Sequence, residues 1–174
     1  MTDDILTAQK RHLARLLEAI QRCAYFLYQS EQRIQWPLTG ETLITRKKDV
    51  DLFETLAAIN ERFAKLQDSL ATAMRHCAYL AGEPSDNFLK VLGFFEKEAV
   101  ITSREDWQRC RAARNLAAHD YDTDYLETAE HFNTLHQLSG ILYAASERFL
   151  AFCETQLGVL PISDDFSQEF QSIT

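Results

Sequence analysis

Residues 49–84, DVDLFETLAAINERFAKLQDSLATAMRHCAYLAGEP, carry the strongest constraint on this chain. Leu52, Leu56, Ile59, Phe63, Leu66, Leu70, Ala73, Cys77 and Leu80 recur at steps of three or four and fall on one face of a single long helix. Gly82 and Pro84 then stop it. A helix of this length with one apolar face needs other helices to cover it.

The rest of the sequence supplies them. Between Asp3 and about Gln29, Ile5, Leu13, Leu16, Ile20, Cys23 and Leu27 mark a second amphipathic helix, with Thr2 as its expected N-cap. Asp3 and Asp4 suit the positive end of its dipole. A connector follows, broken by Trp36-Pro37 and Gly40. A shorter helix from Ser85 to about Ala99 buries Phe88, Leu92 and Phe95, and Ser103 opens another carrying Trp107, Cys110 and Leu116. Asp124 caps the last long helix, which buries Leu135, Leu138, Leu142, Ala145, Phe149 and Phe152 before Gly158 and Pro161 end it. The expected fold is all-α: a bundle of about five helices, three of them long. Residues 1–157 form one domain, and 158–174 form an acidic tail, loose or strapped over a partner.

Composition narrows the function. Five glycines and three prolines in 174 residues agree with long helices. No apolar run reaches the roughly 20 residues of a membrane span, and MTDDILTAQK lacks the basic-then-apolar order of a secretion signal, so a cytoplasmic location is expected. The net charge of −8 argues against coating nucleic acid by electrostatics alone, but it permits a local basic site. Cys23, Cys77, Cys110 and Cys153 are widely spaced and read as free thiols. His12, His76, His131 and His136 form no convincing metal set with acidic residues, so neither a metal nor a cofactor is expected. TRKK at 45–48 is a solvated charge run that could touch an RNA backbone.

The chemistry concentrates in SREDWQRCRAARNLAAHDYDTD, residues 103–124. At 100° per residue, Arg104, Arg111 and Arg114 share roughly a quarter of the helix circumference, while Arg109 points elsewhere. His119 lies about 140° beyond Arg114, and a helix loosening at its end could bring both to one mouth. Arginine holds phosphate through a fixed fork of donors, and histidine moves protons near neutral pH. Metal-free RNA cleavage needs those abilities: a base for the 2′-hydroxyl proton, an acid for the departing 5′-oxygen, and a cation for the phosphorane. One histidine cannot easily be both acid and base in one step, whereas a homodimer would supply a second copy. The same residues also fit an ordinary helix end, with Tyr121 a core aromatic and Asp120 a local turn acceptor.

Arg114, Asn115, His119 and Tyr121, set between the last two helices, resemble the R-x4-6-H-x-Y motif of the HEPN superfamily. The likeness is to the HepT-type toxins of HEPN/MNT toxin-antitoxin pairs, of type VII kind. In layout it spans roughly residues 50 to 155, and its specific part is the eight-residue RNLAAHDY. The resemblance implies an all-helical homodimer with a composite, metal-independent endoribonuclease centre in the interface cleft. It makes Arg114 the phosphate binder, His119 the general acid or base, and Asn115 and Asp120 supporting groups. Tyr121 becomes the residue that a cognate minimal nucleotidyltransferase modifies with AMP, silencing the toxin. Independently of the motif, the basic helix face offers Arg104 and Arg111 as phosphate contacts for an RNA substrate. A different reading is a non-catalytic subunit that presents a substrate or nucleotide to such a nucleotidyltransferase. A third is a helical dimerisation module in which RNLAAHDY is merely packed. No glycine-rich phosphate loop is present, so the chain does not look like the nucleotidyltransferase itself.

Overall fold

The three long apolar stripes form the three long helices of a computed structural model that describes residues 1–116 and 124–174. In chain order the helices are α1 (Thr2–Glu31), α2 (Gly40–Thr45), α3 (Val50–Leu80), α4 (Phe88–Lys97), α5 (Arg104–Leu116), α6 (Tyr125–Leu157) and α7 (Ser167–Gln171). The described residues contain helices and no strands. Arg62 on α3 donates to the Phe26 carbonyl at 3.1 Å and His76 meets the Gln9 carbonyl at 3.0 Å, so α1 and α3 run antiparallel. Asn60 meets His131, and Cys77 lies 3.8 Å from Cys153, so α3 and α6 run parallel.

The core lies between these three rods, where Phe63, Phe95, Phe132 and Phe149 are completely buried. Phe95 of α4 packs edge-on against Phe149 and Phe152 of α6, at 5.5 Å from each ring. Deep in α6, the hydroxyls of Ser139 and Ser146 donate to the carbonyls of Leu135 and Leu142, which satisfies them inside the helix.

Several expectations change in detail. Met1, not Thr2, takes the N-cap position of α1 and offers no side-chain bond, because the helix begins one residue earlier than its polar start signal. Ile5 is exposed, as are all of the first eight residues; coverage of α1 begins further along, at Leu13. Leu116 is exposed because the buried face of α5 advances in steps of three, Trp107, Cys110, Ala113, and each step drifts about 60°. The connector contains α2, whose N-cap Thr39 accepts from the Thr42 N–H at 3.1 Å. Three of the four free cysteines are buried and Cys23 is half-buried. Residues 158–171 lie along α1 of their own chain: Ile162 N–H donates to the Ala14 carbonyl at 3.0 Å and Phe170 is buried.

Two caps and one close approach fix the ends near the candidate site. Asp124 accepts from the N–H groups of Leu126 and Glu127, starting α6 directly after residues 117–123. A Cβ on Gly40 would stand 3.1 Å from the Leu126 Cα, so α2 touches the first turn of α6. Gly40→Ala is expected to lower unfolding stability by about 1–2 kcal/mol in urea titration, in spite of alanine's better helix propensity, because backbone must give way.

At the head of α3, Asp49 accepts from the Leu52 N–H at 3.0 Å and pairs with Arg46 at 2.7 Å. The Leu52 N–H, then Arg46, hold its carboxyl below the ordinary value of 3.8. A lowered folded pKa stabilises the fold above the unfolded value, and that contribution is lost as pH falls through the folded one. Loosening of the first turn of α3, followed by amide exchange at Leu52, is therefore expected below about pH 4. It should be weaker in Asp49→Asn, which caps without titrating.

Candidate anion-binding cleft

Helix α5 is anchored before it reaches the site. The Ser103 hydroxyl accepts from the Asp106 N–H at 3.0 Å, confirming the expected start. Trp107, Cys110 and Ala113 form its buried face, against α3 and α6, and Gln67 donates to the Trp107 carbonyl at 3.5 Å. That orientation turns Arg111, Arg114 and Asn115 toward a cleft of about 580 Å³. The opposite wall is one stripe of α3, Asp68, Ala71, Thr72 and Arg75, set beside the core stripe and spaced at i, i+3, i+4, i+7. Phe88, at the start of α4, closes one side.

Three arginines and one aspartate line this cleft, a local net of +2 in a chain of net −8. Arg114 Nη2 donates to Asp68 Oδ2 at 2.9 Å, and Nη1 reaches Asn115 Oδ1 at a long 3.3 Å. Its Nε is buried without a hydrogen-bond partner among the described residues. The Arg75 guanidinium lies 5.5 Å from the centre of the Phe88 ring, within cation–π range. Arg75 and Arg111 make no salt bridge among the described residues.

Of the residues singled out in sequence, Arg111, Arg114 and Asn115 come together. Arg104 does not join them. It shares their helical face but sits about 10 Å further back along α5, where its guanidinium pairs with Glu96 at 3.4 Å and its N–H donates to the same carboxylate at 2.6 Å. His119, Asp120 and Tyr121 lie outside the described residues. Asp68 and Arg75 had no sequence signal tying them to Arg114; their spacing on the polar flank of α3 becomes legible only when α5 is laid beside it. Lys47 and Lys48 are exposed and Arg46 is engaged with Asp49.

Comparison with protein-family models, curated proteins and solved structures finds no match. No helix among the described residues is long and apolar enough to cross a membrane, and no cluster of histidine, cysteine and acidic side chains there could hold a metal.

A second polar cluster is structural. Glu31, only 2% exposed, accepts from the Tyr143 hydroxyl at 2.6 Å and pairs with His136 Nδ1 at 3.0 Å. Burial first, and then the Glu31 charge, push the Tyr143 phenol far above its ordinary range, so it remains a donor. Trp36 stacks flat on His136 at 4.2 Å and donates its indole N–H to the Glu31 carbonyl at 3.0 Å. Asn133 grips both the N–H and the carbonyl of Leu38, each at 2.8 Å. The connector is thereby pinned to α6. His136 thus has an acidic partner that sequence spacing did not reveal, since Glu31 stands 105 residues away.

Proposed function

We propose that this chain is a metal-independent endoribonuclease of the HEPN kind, a HepT-like toxin of an HEPN/MNT pair that acts as a homodimer. The observation that carries the reading is the convergence of Arg75, Arg111 and Arg114 on one cleft, at the end of the helix that leads into His119 and Tyr121. Such a cleft suits a sugar-phosphate backbone: the guanidinium groups neutralise phosphate charge, and Thr72 and Asn115 add polar contacts.

In this mechanism the ribose 2′-hydroxyl attacks the adjacent phosphorus, and the bond to the 5′-oxygen breaks. Products are a 2′,3′-cyclic phosphate and a 5′-hydroxyl. His119 of one protomer takes the 2′-hydroxyl proton, its counterpart protonates the departing oxygen, and Arg114 carries the charge on the phosphorane. Asn115 and Asp120 support these groups. Modification of Tyr121 with AMP by a cognate nucleotidyltransferase would place a bulky anion beside the site and repel RNA.

The test is cleavage of defined RNAs in EDTA by purified protein, shown by intact mass to carry no AMP, beside His119→Ala. Cyclic phosphate ends from the parent chain alone are expected. Absence of cleavage by unmodified, folded dimer would overturn the reading. It would favour the nucleotide-presenting subunit, for which the Arg75–Phe88 wall of the cleft is the specific support. In that case, cleft variants would lose nucleotide binding in a chain that never turns over RNA.

A further inference from the structure

The structure assigns to Asp68 a role as internal competitor for the phosphate seat on Arg114, so that the cleft takes a phosphodiester by exchanging a carboxylate for it. The identity of the ligand rests on the ribonuclease reading above; the exchange itself rests on the geometry.

Asp68 contacts one N–H of Arg114, at Nη2, while the Nε on the same edge of the guanidinium is buried and has no partner among the described residues. A carboxylate seated this way uses half of a two-donor edge. A phosphate, with more acceptor oxygens in a suitable spread, can take both donors and satisfy the orphan. The exchange costs little, because the Asp68 side chain is 59% exposed and such open ion pairs are weak. When displaced, the carboxylate can turn to solvent.

Selectivity follows from this arrangement. Arg114 is occupied at rest, whereas Arg75 and Arg111 have no acidic partner among the described residues. At Arg114 a lone anion gains one arginine and must first displace Asp68. A strand with successive phosphates engages Arg75 and Arg111 as well, and that added attraction drives the exchange. Asp68 thus acts as a specificity-determining residue favouring multi-phosphate strands over single anions.

The test is binding of a labelled 2′-O-methyl oligoribonucleotide, which cannot be cleaved, by the full chain at two salt concentrations. Asp68→Asn is expected to tighten binding by about three- to tenfold, and Arg114→Ala to weaken it by about tenfold or more. Asp68→Asn added to Arg114→Ala should recover little, because the carboxylate acts through that guanidinium. Asp51→Asn, an exposed carboxylate on the same helix, controls for removal of one negative charge. Unchanged or weakened binding by Asp68→Asn would overturn the competitor role, as would equal tightening in the Arg114→Ala background or in Asp51→Asn. If neither the parent chain nor Asp68→Asn binds the oligonucleotide, the nucleic-acid reading itself falls. Thermal unfolding of each variant excludes loss of fold as the cause.

Discussion

Arg114→Ala is expected to lower RNA cleavage by about 100- to 1,000-fold, the loss typical when a positioned donor to transition-state charge is removed. Unfolding stability should change by less than about 0.5 kcal/mol, because the side chain is partly exposed and its Asp68 partner is open to solvent. That separation gives the experiment its force: a large kinetic effect with intact folding identifies a group acting on substrate. Arg114→Lys should recover only part of the activity, since an ammonium keeps the charge but loses the planar fork and its Nε donor. Gel-resolved initial rates and urea titrations on the same preparations check both halves. Equal activity of Arg114→Ala and the parent chain would remove Arg114 from the chemistry.

The largest stability effect is expected far from the cleft, at Glu31. Glu31→Ala would leave the buried Tyr143 hydroxyl without its 2.6 Å acceptor, release His136, and open a void beside Trp36. Breaking a buried polar network by removing its centre costs about 3 kcal/mol. Tyr143→Phe should cost less, about 1–2 kcal/mol, because the carboxylate keeps His136. The double variant should fall short of the sum, since the two side chains share one hydrogen bond. Strict additivity in denaturant titration would show that the pair is not coupled.

What the sequence made legible was what repeats within a helix. The stripe from Leu52 to Cys77 reads directly from spacing, and buried residues follow it. Asp124 announces the start of α6, and Ser103 that of α5, because capping is local chemistry. Short α2 was missed: its six residues are too few for a period. Arg111 and Arg114 were identifiable together because one helix carries them on one face, and Asn115 through the motif resemblance. Asp68 and Arg75 were not, because they join Arg114 through the packing of α3 against α5, across 46 residues in the case of Asp68. Arg104 shows the converse error: a shared helical angle says nothing about distance along the axis, and Glu96 lies nearer.

The strap on α1 also bears on how this chain comes off the ribosome. Tyr25 and Phe26 pack near Phe166, and Gln21 reaches Ser167, made 146 residues later. At about 5–20 residues per second, the face of the first helix waits roughly 7 to 30 s for its cover. Throughout that interval the nascent chain presents an aromatic patch, and a holding chaperone would find its handle there.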